Sequence, residues 1–149
     1  MTAPAMEPAG RDTRAIHWAA DLIGRPWVAG GRGPDAFDCW GLVRRVQAER
    51  FGRSLPEIPV DAGDLRAILG AFRDHPERRR WALTETPAEG DCALMRQSRH
   101  PVHVGVWLAV DGGGVLHCVR GAGVVFQRPK GLLQAGWRIE GFYRFEGDR

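Results

Sequence analysis

The second half of the chain does most to restrict the fold. From Glu89 onward, short apolar or alternating runs are separated by Gly and Asp: "CALMR" (92–96), "HVGVWLAV" (103–110), "GVLHCV" (114–119), "GVVFQR" (123–128) and "RIEGFYRF" (138–145). Runs of this length between turn residues read as strands of an antiparallel sheet. "DGGG" (111–114) reads as the turn of a hairpin.

The first half has a different texture. "TRAIHWAADLIG" repeats Ile16, Ala19, Ala20 and Ile23 at helical spacing behind the N-cap candidates Asp12 and Thr13, and Gly24 with Pro26 stops it. A Gly- and Pro-dense loop, "RPWVAGGRGPDAF", follows. A second helix is predicted to begin at Cys39 with Asp38 as its N-cap, to carry Leu42, Val43 and Val46 as an apolar stripe, and to end at Gly52. "DAGDLRAILGAFRDH" gives a third helix around Leu65, Ile68, Leu69 and Phe72. Helices first and an antiparallel sheet second make an α+β arrangement. With 149 residues the chain can bury one substantial core. A single domain over 12–149 is expected, behind a loose Pro- and Ala-rich tail at 1–11.

Charge excludes some functions. The net charge of +3 is spread over many arginines and a single lysine, and its densest run, "ERRRW" (77–81), has no helix-turn-helix or aromatic-interleaved basic stripe beside it. It reads as a solvated face, and no nucleic-acid partner is expected. "MTAPAMEPAG" lacks the basic start and apolar core of a secretory signal, and no run is long enough for a membrane span. Synthesis in the cytoplasm is expected, wherever the protein later acts. Cys39, Cys92 and Cys118 include no Cys-x-x-Cys pair and cannot close a disulfide framework, so they read as reduced thiols.

Cys39 at a helix start is chemically suggestive. The unpaired N–H groups of a first turn lower a thiol's pKa and can hold the oxyanion formed when a thiolate attacks a carbonyl. Taken alone, Cys39 reads more readily as a small buried hydrophobe than as a nucleophile. A nucleophile would need a base in hydrogen-bond reach, and five histidines compete. His17 lies beside the first apolar stripe, His75 ends a helix before Pro76, and His100 precedes Pro101 in a loop. His103 and His117 fall in the two strands of one hairpin. Strand alternation puts His103, Gly105 and Trp107 on one face and Val104, Val106, Leu108 and Val110 on the other. With Gly112–Gly114 as a three-residue loop, His117 lies opposite Ala109 and shares the His103 face; a two- or four-residue loop would reverse it. Gly105 would leave room for another group. A zinc site from His100, His103, His117, Cys118 and Cys92 lacks any recognised ligand spacing, and no metal or cofactor is expected. Cys at a helix start, His at a strand start and a second His across a hairpin match a Cys–His pair with an orienting third group.

These residues resemble the NlpC-type cell-wall cysteine peptidases. The matching blocks are "GRPWVAGGRGPDAFDCWGLVRRVQAERFGRSLP", "AEGDCALM" and "HVGVWLAVDGGGVLHC". They are similar to that family's Pro-Tyr-x-x-Gly-Gly loop, its Asp-Cys-Ser-Gly-Leu-Val helix start, the Gly-Asp before a strand, and the His-Val-Gly strand followed by a second His. The likeness runs from about Ile16 to Phe145. It implies a papain-like α+β fold that cleaves amide bonds in peptidoglycan stem peptides, typically between D-glutamate and a diamino acid. It further implies Cys39 as nucleophile, His103 as general base and acid, His117 as the residue orienting the imidazole, and Asp38 as a holder of the substrate's free amine. The Cys39 N–H would contribute to the oxyanion hole.

Two positions depart from the family pattern. Trp27 stands where the family has tyrosine and Trp40 where it has serine, so both are expected to reshape the substrate side of the site. "DCWGLVR", "GVLHCVRGAGVVFQ" and "GWRIEGFYRF" look most like members encoded in tailed phages and prophages, which implies tail-tip proteins as partners and action on the cell wall after assembly. Arg32, Arg44 and Arg45 lie near the expected site, where solvated positions or a stem-peptide carboxylate would suit them. The alternatives are a structural tail-tip or peptidoglycan-binding subunit with little activity, and a related papain-like amidase or acyltransferase.

Overall fold

The computed structural model describes residues 17–57, 79–97 and 103–147. The expected tail, the start of the first helix, the third helix, His75 and His100 lie outside these residues. Helix α1 runs Cys39–Phe51, and α2 runs Pro129–Gln134. The strands are β1 (Trp81–Thr84), β2 (Cys92–Gln97), β3 (His103–Leu108), β4 (Gly114–Val119), β5 (Gly123–Gln127) and β6 (Trp137–Phe145). They form one six-stranded sheet in the order β1-β6-β2-β3-β4-β5, with every pairing antiparallel. This is the α+β arrangement expected from the change of texture at Glu89.

Helix α1 forms where the sequence places it. The Asp38 carboxylate accepts from Gly41 N–H at 2.6 Å, a cap worth about 1 kcal/mol, and Gly52 closes the other end in the left-handed conformation at φ 65°. Leu42, Val43 and Val46 are buried against Val104, Val106, Leu116 and Cys118 of the sheet. Each such apolar side chain contributes roughly 1.5–3 kcal/mol. Gly41 is obligatory for a steric reason. A Cβ there would sit 2.0 Å from the Gly31 carbonyl oxygen, the same oxygen that accepts from Asp38 N–H at 3.0 Å. The helix start and the glycine loop are thereby docked together. Inside that loop Phe37 is wholly buried and bridges both Trp27 and Arg32.

The opposite face of the sheet has its own apolar cluster: Ala93, Met95, Trp107, Val115, Trp137 and Leu132 of α2. Trp137 and Phe142 both join it although five positions separate them, which strict alternation forbids. The reason is a bulge. Leu94 pairs with Gly141 but Met95 pairs with Ile139, so Glu140 is an extra residue that resets the alternation of β6. At the far edge, β5 is held by Gly24 N–H donating to Val124 O and Val124 N–H donating to Arg25 O, each at 2.9 Å.

Three local expectations need correction. The expected first helix is, within the described residues, a single 3-10 turn at Trp18–Asp21 capped by the His17 ring. Only Ala19 of it is buried and Ile23 is 48% exposed, so the stripe has no continuous core to cover. The strand expected to reach Val110 stops at Leu108. The chain then enters a 3-10 turn at Val110–Gly112 with Asp111 at φ 53°, a conformation Asp tolerates better than most residues. The hairpin loop is accordingly 109–113, with Leu108 opposite Gly114, rather than three glycines alone. Strand β1 and helix α2 were not foreseen.

Candidate active site

His103 opens β3, and His117 sits in β4. The pairs Val106–Leu116 and Leu108–Gly114 set a register that brings Gly105 opposite His117. That register is shifted from the expected one by an even number of residues, so the two histidines still share a face. The space at Gly105 is filled by His117 itself: a Cβ on Gly105 would lie 2.9 Å from His117 Cβ and 2.5 Å from Val115 Cγ1. His103 Nε2 and His117 Nδ1 are 2.9 Å apart. His117 Nε2 in turn lies 2.8 Å from Gln127 Oε1. Gln127 can reach because Val125 pairs with His117 and Gln127, two residues on, shares its face. Trp137 stacks on the His103 ring at 4.5 Å and 23°, and meets His117 edge-on at 5.7 Å.

Both histidines are buried, and burial holds each pKa down. His103 is pushed well below its ordinary value, first by desolvation and then by His117. His117 falls to about 4 through desolvation, partly opposed by its bond to Gln127. At neutral pH both rings are neutral, so each carries one N–H and one lone pair.

Cys39 occupies the first position of α1, 3% exposed. Its sulfur receives the backbone N–H of Val104, the residue after His103, and that of Trp40. Among the described residues no hydrogen bond joins the sulfur to the His103 ring, and no protein group bonds His103 Nδ1. The helix start was expected to lower the thiol's pKa. Burial instead pushes it up to about 12, with the neighbouring Asp38 charge adding to the effect. At rest, therefore, Cys39 is a thiol and the His103 ring a neutral imidazole.

Asp38 spends one oxygen on Gly41 N–H and the other on Gly30 N–H at 3.1 Å. Burial raises its pKa while these bonds pull it back. Trp40 is buried, and its Nε1–H donates to Pro56 O at 3.0 Å. Trp27 is half-buried with the Arg120 guanidinium 4.6 Å above its ring. Arg32 pairs with Glu57, Arg44 donates to Leu55 O, and Arg45 pairs with Glu49. Cys118 is buried behind Cys39 and donates to Phe37 O at 3.3 Å, while Cys92 is buried on the same sheet face. All three cysteines are free. Among the described residues no cluster of three or more His, Cys, Asp or Glu is placed to hold a metal ion, and no helix is long and apolar enough to cross a membrane.

Gln127 and Trp137 went unremarked in the sequence. The signal for Gln127 was a lone polar residue alternating with Val125 in a strand that follows the His117 strand through a short turn. Trp137 offered none, because its placement depends on the β6 bulge.

Three solved structures share this architecture. The NlpC/p60 domain of the peptidoglycan hydrolase SagA superposes with a TM-score of 0.56 at 22% identity, over 85% of this chain and 92% of that one. NlpC2 from Trichomonas vaginalis gives 0.58 at 20% identity, over 85% of this chain and 44% of that one. NlpC1 from the same organism gives 0.55 at 21%, over 85% and 42%. The chain thus spans less than half of the two Trichomonas proteins. No curated protein matches it. The model of the NlpC/P60 family matches residues 24–137, which contain the glycine loop, Asp38, Cys39, both histidines, Gln127 and Trp137. The chain belongs to the NlpC/P60 family.

Proposed function

We propose that this protein is a cysteine peptidase that hydrolyses an amide bond in peptidoglycan stem peptides, of the D-glutamyl–diamino acid type. The observation that carries the reading is a buried His103–His117 pair, with Val104, the residue after His103, giving its N–H to the thiol at a helix N-terminus. Family membership and a structural neighbour described as a peptidoglycan hydrolase support it.

In this reading the Cys39 S–H proton passes to His103 Nδ1 as the sulfur attacks the carbonyl carbon. The S–C bond forms, and the oxyanion is held by N–H groups at the start of α1, that of Cys39 included. The C–N bond then breaks, and the amine leaves with the proton carried by His103. Water adds to the thioester, gives a proton to His103, and the C–S bond breaks as the thiol re-forms. His117 steadies the imidazole. Asp38 keeps acceptor capacity beyond its two backbone bonds for the free amine of a trimmed stem peptide. Trp27 and Trp40 shape the approach.

The test is digestion of purified peptidoglycan by the protein and by Cys39→Ala, with soluble fragments identified by mass spectrometry. Fragments from the unmutated protein alone support the peptidase and identify the bond. One observation favours a second reading. Cys39 is only 3% exposed, so a site opened by assembly partners, as in a tail-tip subunit acting at the cell wall, would leave the isolated protein inactive. Absence of fragments from either folded protein would favour it. Release of product from an ester or acyl donor, with peptidoglycan untouched, would move the assignment to an amidase or acyltransferase.

A further inference from the structure

We propose that Gln127 is a positioning residue that fixes the tautomers of both buried histidines and so leaves His103 Nδ1 as the unprotonated nitrogen. The inference rests on the peptidase reading only for its consequence, not for its geometry.

A neutral imidazole has one donor and one acceptor, so a chain of two rings can run in either direction. Two rings alone have no preference. The end of the chain decides, and at that end Gln127 Oε1 lies 2.8 Å from His117 Nε2. A carbonyl oxygen only accepts, so His117 must carry its proton on Nε2 and present a lone pair at Nδ1. That lone pair lies 2.9 Å from His103 Nε2, which must then be the donor. The remaining nitrogen, His103 Nδ1, holds a free lone pair on the ring whose next residue, Val104, gives its N–H to the Cys39 sulfur. The opposite direction would put N–H on His103 Nδ1, where it could not accept the thiol proton.

The surroundings make this selection effective. Water competes poorly for the ring nitrogens, because His117 is wholly buried and His103 is 4% exposed. Trp137 stacked on His103 restrains it from rotating to offer its other edge. Once His103 takes the proton from Cys39, its Nε2–H still donates to His117, so the imidazolium forms with its partner already oriented.

The test uses the full chain, wild type, Gln127→Glu and Gln127→Met, each confirmed folded by thermal melting. Long-range proton–nitrogen NMR at neutral pH reads which ring nitrogens carry protons. The wild type should show N–H at Nε2 and a lone pair at Nδ1 in both rings. Gln127→Glu keeps an acceptor and should keep that pattern. Gln127→Met removes it and should give mixed tautomers, with kcat on peptidoglycan lowered about tenfold or more and KM little changed. An Nδ1–H on either wild-type ring, or an unchanged pattern in a folded Gln127→Met protein, would overturn the proposal. A wild-type protein with the expected pattern and no peptidoglycan hydrolysis would count against a peptidase active in isolation and leave the role of Gln127 standing.

Discussion

The two faces of the central sheet are made from the same strands and differ in every alternate residue. On one face Val104, Val106, Leu116 and Cys118 pack against Leu42, Val43 and Val46 of α1. On the other, His103, His117 and Gln127 form a polar row one strand apart, walled by Trp137. The first face is held by apolar burial, which is tolerant of shape and indifferent to proton position. The second depends on which nitrogen carries a hydrogen. Pleating lets one set of strands serve both without mixing them, and Cys39, at the start of α1, is packed with the first.

Substitutions should separate along this line. The largest effect belongs to the thiol: Cys39→Ser should lower peptidoglycan hydrolysis by about 10⁴-fold or more while the melting temperature barely moves, as read by fragment release and calorimetry. Next, Leu42→Ala on the α1 side should cost about 2–5 kcal/mol in urea unfolding and leave the histidine tautomers unchanged by NMR. Altered tautomers in that variant would break the separation.

Acid should act through the other face. His117 titrates near pH 4 when folded against an ordinary 6.5, so below 6.5 the unfolded chain binds a proton that the folded chain refuses. Stability is therefore full above 6.5 and is lost as pH falls toward 4, by roughly 3 kcal/mol from this residue, with His103 shifted in the same direction. Unfolding measured between these pH values in His117→Gln should show a shallower slope. Gly105→Ala is a sharper probe, since its Cβ meets both His117 and Val115. It should cost about 1–3 kcal/mol and disturb the His103–His117 contact together. Smallest of all, Arg45→Ala breaks an exposed ion pair with Glu49 and should change stability by less than about 0.5 kcal/mol.

What the sequence made legible follows the same division. Helix α1 was readable to the residue because its signals are local: an Asp cap, an apolar stripe and a closing glycine. Strands β2 to β6 were readable from their alternation and their turns, and β1 was not. The facing of His103 and His117 depended only on whether the hairpin loop was odd or even in length, which is why a mistaken register still placed them together. Trp137 was hidden, since one extra residue at Glu140 decides its side, and an isolated bulge leaves no periodic trace. The thiol's environment was also misjudged. Position at a helix start is local, whereas the burial that raises its pKa comes from packing against the sheet.

The pinning of β5 has a dynamic consequence. Gly24 and Arg25 clamp this edge strand at Val124, near its beginning, and Gln127 is its last residue. Fraying starts where fewest bonds must break, so the Gln127 end should exchange its amide hydrogens well before β3 or the core of β4. Each such opening would free the two rings to swap protons while the apolar cluster against α1 stays closed. The protein would then pass in and out of catalytic readiness on the timescale of edge fraying, without any change in its fold.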